Sequence, residues 1–128
     1  MAGETILVVD DSAVNLKLAR VVLSCEGYVV RTAADAEDAL RLLATFTPSL
    51  ILMDIQLPGM SGLDLTRRLK ADPATKHIVI LALTAYAMKG DEEKARAAGC
   101  DGYITKPIDV GALPSVIARH IESPGLVH

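Results

Sequence analysis

Short apolar runs, each closed by a reactive polar residue, limit what this chain can become more than anything else in it. Ile6-Leu7-Val8-Val9 leads into Asp10-Asp11, and Leu50-Ile51-Leu52-Met53 into Asp54. Ile78-Val79-Ile80-Leu81-Ala82-Leu83 leads into Thr84, and the shorter Tyr103-Ile104-Thr105 into Lys106. Uninterrupted apolar runs of this length, as opposed to alternating ones, mark strands buried on both faces, the pattern of parallel sheets covered by helices. Open sheets of that kind place their ligands in a crevice at the carboxyl ends of the strands. Asp10, Asp11, Asp54, Thr84 and Lys106 are therefore predicted to converge. Three carboxylates facing one ammonium leave two negative charges uncompensated, and crowded carboxylates are unfavourable without a counter-charge. A divalent cation supplies one. All-oxygen donors with room for water suit Mg²⁺ or Mn²⁺, and a metal beside an aspartate, a threonine and a lysine is equipment for phosphoryl transfer.

Amphipathic segments at helical spacing lie between the runs. Val14, Leu18, Val21, Val22 and Cys25 are predicted to form the inner face of a first helix, with Ser12 as N-cap and Gly27 at its end. Asp35 is placed to cap a second helix with Ala36, Ala39, Leu40 and Leu43 inward, which Thr47-Pro48 stops. Leu65 and Leu69 mark a third, after Pro58-Gly59-Met60-Ser61-Gly62 and before Asp72-Pro73. A fourth is expected from about Met88 to Ala98, stopping at Gly99, and Leu113, Val116, Ile117 and Ile121 give the inner face of a fifth. Adding Tyr28-Val29-Val30-Arg31-Thr32 as the second strand gives five βα units in alternation. Such alternation predicts an α/β fold, a doubly wound parallel sheet with helices on both faces and right-handed crossovers. Residues 1–122 are expected to form one domain, and residues 123–128, with Pro124 and Gly125, a flexible tail or the start of a linker.

Composition excludes several classes. A chain of 128 residues, 51% of them hydrophobic, can bury one substantial core and has no room for a second domain. It lacks the stretch of about 18 apolar residues that a membrane span needs, and Met1-Ala2-Gly3-Glu4-Thr5 runs straight into the first strand without a signal-peptide pattern, so a soluble cytoplasmic protein without membrane attachment is expected. Cys25 and Cys100 have no metal-type spacing and are expected to be reduced, partly buried thiols. With 13 basic and 16 acidic residues and no basic cluster, direct nucleic-acid binding is not expected. His77, His120 and His128 have no partners at ligand spacing and are taken as surface or helix-edge residues; Asp91-Glu92-Glu93-Lys94 is taken as a solvated helix face.

The chain resembles the response-regulator receiver domains of two-component signalling. The resemblance is carried by Val8-Val9-Asp10-Asp11-Ser12, Met53-Asp54-Ile55-Gln56-Leu57-Pro58-Gly59-Met60-Ser61-Gly62, Leu83-Thr84-Ala85 and Lys106-Pro107, and it covers Thr5 to Ile121. Any one piece also has an ordinary reading: an acidic pair after a strand is often a helix-capping turn, and a lone lysine is usually a solvated one. Four pieces in this order, each at a strand end, are specific.

The resemblance implies a flavodoxin-like strand order of 2-1-3-4-5, and Asp54 as acceptor of a phosphoryl group from a phosphohistidine on a kinase or phosphotransfer protein. It further implies Asp11, Asp54 and the Gln56 backbone carbonyl as metal ligands, with Asp10 acting through metal-bound water. Lys106, followed by a cis bond to Pro107, is the cation for a phosphoryl oxygen. Thr84 is a hydroxyl that moves toward the phosphoryl group, and Tyr103, three residues before the lysine, is a rotating switch residue coupled to a surface of the fourth helix, fifth strand and fifth helix. Gln56 and Tyr86, two residues after Asp54 and Thr84, flank the path of hydrolytic water and are expected to set the phosphoryl lifetime. Such a domain is not a conventional enzyme, but assists its own phosphorylation and autodephosphorylation. A downstream protein is implied without being identified, and a phosphorylation-linked homodimer is left open.

Two alternatives share part of this pattern. A phosphatase of the haloacid-dehalogenase type uses Mg²⁺ and a strand-end Asp, but in an Asp-x-Asp motif, whereas Asp10 and Asp11 are adjacent. A flavodoxin-like flavin binder shares the sheet order, but these acids would repel its phosphate.

Overall fold

The computed structural model describes residues 4–57, 59–84, 89–106 and 108–122. The strands are β1 (Thr5–Val9), β2 (Val29–Ala33), β3 (Leu50–Asp54), β4 (Val79–Thr84) and β5 (Gly102–Thr105). Between and after them come α1 (Ala13–Cys25), α2 (Ala36–Leu43), α3 (Gly62–Ala71), α4 (Lys89–Ala98) and α5 (Leu113–Glu122). The strands form one parallel sheet in the order β2-β1-β3-β4-β5, so the predicted doubly wound architecture and strand order both hold.

Register explains why the central runs are apolar throughout. β1 and β3 pair with Val9 opposite Met53, and β3 and β4 with Asp54 opposite Leu83. Successive side chains point to opposite faces of the sheet, so each strand feeds two cores. One contains Leu7, Val9, Ile51, Met53, Ile80 and Ala82, covered by Ala36 and Ala39 of α2, Leu65 and Leu69 of α3 and Ala95 of α4. The other contains Ile6, Val8, Leu50, Leu52, Leu81 and Leu83, covered by Ala19 and Leu23 of α1 and Leu113 and Ile117 of α5. Every residue of β3 is buried, and with it the acid at its end.

The caps expected at Ser12 and Asp35 form: the Ser12 hydroxyl accepts from the Asn15 N–H and the Asp35 carboxylate from the Asp38 N–H. Ser61, not singled out in the sequence, caps α3 in the same way, its hydroxyl accepting from the Asp64 N–H, so amide donors that a first helical turn otherwise leaves open are satisfied. α1 departs from expectation on its inner face. Val14, Leu18 and Val21 are 67%, 41% and 54% exposed, and Cys25 is exposed too, while Ala19 and Leu23 are buried with Leu16 and Val22 partly so. The helix carries two apolar stripes; the one containing small Ala19 faces the sheet, because a short side chain lets the helix axis come close. Cys100 is buried and Cys25 exposed, so the expectation of two partly buried thiols is corrected; both are free. Among the described residues no helix is long and apolar enough to cross a membrane. The proposed start of the fourth helix at Met88, the Lys106-Pro107 bond, Tyr86 and residues 123–128 lie outside the described residues.

Candidate functional site

The carboxyl ends of β1, β3, β4 and β5 bring the predicted residues together. Asp10 directly follows β1, its N–H donating to Ala33 O at 3.1 Å, and Asp54 closes β3. Lys106 directly follows β5, its N–H donating to Thr84 O at 2.7 Å, which fixes where its side chain departs. Carboxylate oxygens of Asp10, Asp11 and Asp54 lie within 4.8 Å of one another. Lys106 Nζ sits 2.9 Å from Asp54 Oδ2 and 3.4 Å from Asp10 Oδ2.

Burial sharpens the electrostatics. Asp10 is 0% and Asp54 1% exposed, while Asp11 is exposed at the rim. Asp10 Oδ1 accepts from the Ser12 N–H at 2.8 Å, and Asp54 Oδ1 from the Gln56 N–H at 2.9 Å. Loss of water raises the Asp10 carboxyl above the ordinary range; the Ser12 N–H opposes this, the Asp54 charge adds to it, and Lys106 and Asn15 oppose it. Burial pulls the Lys106 ammonium down, but its hydrogen bond to Asp54 and the charges of Asp10 and Asp54 outweigh that and leave it raised. The cluster therefore holds a charged lysine and more carboxylate than that lysine neutralises. Three hard oxygen donors converging with one exposed edge fit Mg²⁺ or Mn²⁺, the donor chemistry expected from the sequence.

Thr84 is 4% exposed at the end of β4, beside Lys106 in the backbone ladder. Tyr103 lies one strand outward, half-buried against the core beneath α3 and α4. A hydrogen bond to Glu92 of α4 and the charge of that carboxylate push its phenol up. Tyr103 also lines a groove of about 540 Å³ with Arg96, Ile104, Val116, Arg119 and His120.

Two contributors were not singled out from sequence. Asn15 Nδ2 donates to Asp10 Oδ2 at 3.1 Å; its position on the first turn of the helix that follows the acidic pair was the available signal. Gly62 opens α3 against the backbone that carries Asp54: a Cβ there would lie 2.0 Å from the Asp54 carbonyl oxygen and 2.8 Å from Ile55 Cα, so only glycine allows the approach. In the sequence Gly62 reads as the last residue of the Pro58-Gly59-Met60-Ser61-Gly62 segment before the third helix.

Comparison with known proteins agrees with this geometry. The sequence profile of the response regulator receiver domain matches residues 6–118. The polar-differentiation response regulator DivK of Brucella anthropi is 46% identical over 118 residues, covering 92% of this chain and 96% of DivK. DivK of Brucella ovis is 48% identical over 119 residues, with the same coverage of 92% and 96%. A putative response regulator from Chloroflexus aurantiacus superposes with a TM-score of 0.89 at 32% identity, over 94% of this chain and 98% of that one. The receiver domain of a sensor histidine kinase from Pseudomonas aeruginosa, solved with a magnesium ion coordinated in the active site cleft, gives a TM-score of 0.85 at 36% identity, over 94% and 99% of the two chains.

Proposed function

We propose that this chain, which belongs to the response regulator receiver domain family and serves two-component signalling as a phosphoacceptor, receives its phosphoryl group on Asp54. The observation that carries the assignment is the setting of that carboxylate: buried at the end of β3, one oxygen on the Gln56 N–H, the other on Lys106, with two further acids beside it. In the transfer, an Asp54 oxygen forms a bond to phosphorus as the bond from phosphorus to the donor breaks, the donor leaving with that electron pair. The donor is a phosphohistidine of a histidine kinase or phosphotransfer protein, or a small acyl phosphate in the laboratory. Asp11, Asp54 and the Gln56 carbonyl would hold Mg²⁺, with Asp10 acting through water, and the bound ion would neutralise charge on Asp54 and on the incoming phosphoryl oxygens.

The protein's own part is positioning and electrostatics, which dominate phosphoryl transfer. The Gln56 N–H fixes the rotamer of Asp54. Lys106, already 2.9 Å from Asp54, meets a phosphoryl oxygen once the group is in place. Thr84 then turns its hydroxyl inward, and Tyr103 follows into the space beneath α4, altering the surface of α4, β5 and α5. Gln56 and Tyr86, two residues after Asp54 and Thr84 in the sequence, are the residues we assign to setting the lifetime of the acyl phosphate. Residues 1–122 form the functional domain, cytoplasmic, with a phosphorylation-linked homodimer as one mode of output.

Peptide-mapped mass spectrometry after acetyl phosphate treatment tests the assignment. One phosphoryl group is expected on the Asp54 peptide with Mg²⁺ present, and none in EDTA or in Asp54→Asn. Equal incorporation in Asp54→Asn and wild type would overturn it. Tyr86→Ala is expected to shorten the phosphoprotein half-life.

A further inference from the structure

Asp10 and Asp54 are held by closely parallel contacts that differ by one donor. Each directs one oxygen to the backbone N–H two residues on, and each turns its other oxygen to Lys106 Nζ, at 3.4 Å for Asp10 and 2.9 Å for Asp54. The Asp10 oxygen that faces the lysine also accepts from Asn15 Nδ2 at 3.1 Å. One ammonium is thus contested by two buried carboxylates, and a neutral amide serves one of them.

We propose that Asn15 is a positioning residue for phosphoryl transfer: by meeting the Asp10 oxygen nearest Lys106, it leaves the lysine ammonium on Asp54. The proposal rests on Asp54 being the phosphoacceptor. A carboxylate oxygen shut away from water needs donors, and an unmet one is costly. Without the amide, the nearest group able to serve Asp10 Oδ2 is Lys106, already 3.4 Å away. Closing that gap moves the ammonium off Asp54 and away from where a phosphoryl oxygen arrives. The residue type matters as well. Asn is neutral, so it satisfies Asp10 without taking the cation's place, as Lys or Arg would, and without adding a fourth negative charge, as Asp would. Its backbone is anchored, because the Asn15 N–H is capped by Ser12 Oγ at 3.3 Å, and the amide therefore leaves a fixed first turn of α1.

Two measurements on Asn15→Leu, a near-isosteric change that removes the donor, test this. In metal-free, unphosphorylated protein labelled on lysine, the Lys106 side-chain resonances are expected to move while those of Lys70 stay. At saturating Mg²⁺ the phosphorylation rate with acetyl phosphate is expected to fall about tenfold, the usual scale for a group acting through a ligand's hydrogen bond, and Asn15→Gln should recover most of it. Asn15→Ala replaces the leucine variant if the latter does not fold. Unmoved Lys106 resonances, or a rate within twofold of wild type, overturn the proposal. A wild-type protein that takes no phosphoryl group on Asp54 refutes the phosphoacceptor assignment instead, and the lysine resonances still decide the role of Asn15.

Discussion

Two lysine–aspartate contacts sit at opposite ends of the sheet, one partly exposed and one around buried carboxylates, and they differ in how their charges are balanced. At the amino ends of β4 and β5, Lys70 Nζ donates to Asp101 Oδ2 at 3.0 Å, to Ile78 O at 2.7 Å and to Lys76 O at 3.2 Å. Asp101 Oδ2 accepts in addition from the Ile80 N–H at 2.9 Å. One positive and one negative charge meet there, and neutral backbone groups take the remaining donors. At the carboxyl ends, one lysine contacts two buried carboxylates, and a third, exposed one lies beside them. A balanced pair with its hydrogen bonds filled can only hold elements together. An unbalanced cluster held rigid by the same fold has the charge that the proposed cation and phosphoryl site requires.

The largest expected effect separates the two lysines by rate. Lys106→Ala should slow phosphorylation by acetyl phosphate about 100-fold, the scale for losing one preorganised charge donor, while Lys70→Ala should stay within about twofold of wild type. Comparable losses in both would erase the distinction. Stability should reverse the order. Urea unfolding of Lys70→Met in Mg²⁺ is expected to show a loss of about 1–2 kcal/mol, less than for a fully buried pair because Lys70 and Asp101 side chains are 20% and 42% exposed.

The open cluster should carry a cost that the closed pair does not. Because burial raises the Asp10 carboxyl, its contribution to stability is full below the unfolded-state value of about 3.9 and is lost as pH rises through the folded-state value. Metal-free protein is therefore destabilised at neutral pH by ionising Asp10. Asp10→Asn should stabilise it there and remove that part of the pH dependence, as measured by urea unfolding in EDTA. A less stable variant at pH 7 would contradict the sign. The smallest effect is expected for Asp101→Asn, about 0.5 kcal/mol, since the amide oxygen still accepts from Ile80 and Lys70 and only the charge is lost.

Sequence made the open cluster legible and the closed one nearly invisible. Asp10, Asp11, Asp54, Thr84 and Lys106 each follow an apolar run, and parallel pairing carries such residues to one edge. Nothing comparable announces Lys70 and Asp101, which lie 31 positions apart and meet only because the end of α3 and the start of β5 both come to the amino end of β4. The inner face of α1 is hidden from the sequence for a related reason: apolar periodicity finds a stripe, and Val14, Leu18 and Val21 form one as regular as that around Ala19 and Leu23. Which stripe faces the sheet is decided by how closely each allows the helix to approach, a three-dimensional matter. Asn15 and Gly62 act through atoms whose partners are fixed only on folding, the Asp10 oxygen and the Asp54 carbonyl.

The contrast between the two ends is tested most directly by titrating metal-free protein with Mg²⁺ while following backbone amide resonances. The amides of Asp10, Asp11, Asp54, Gln56 and Lys106 are expected to shift together and saturate at on the order of millimolar Mg²⁺, while those of Lys70, Ile78, Ile80 and Asp101 stay in place. Shifts of equal size at both ends, or no saturable shift at Asp54, would contradict the assignment of the strand ends as a cation and phosphoryl site.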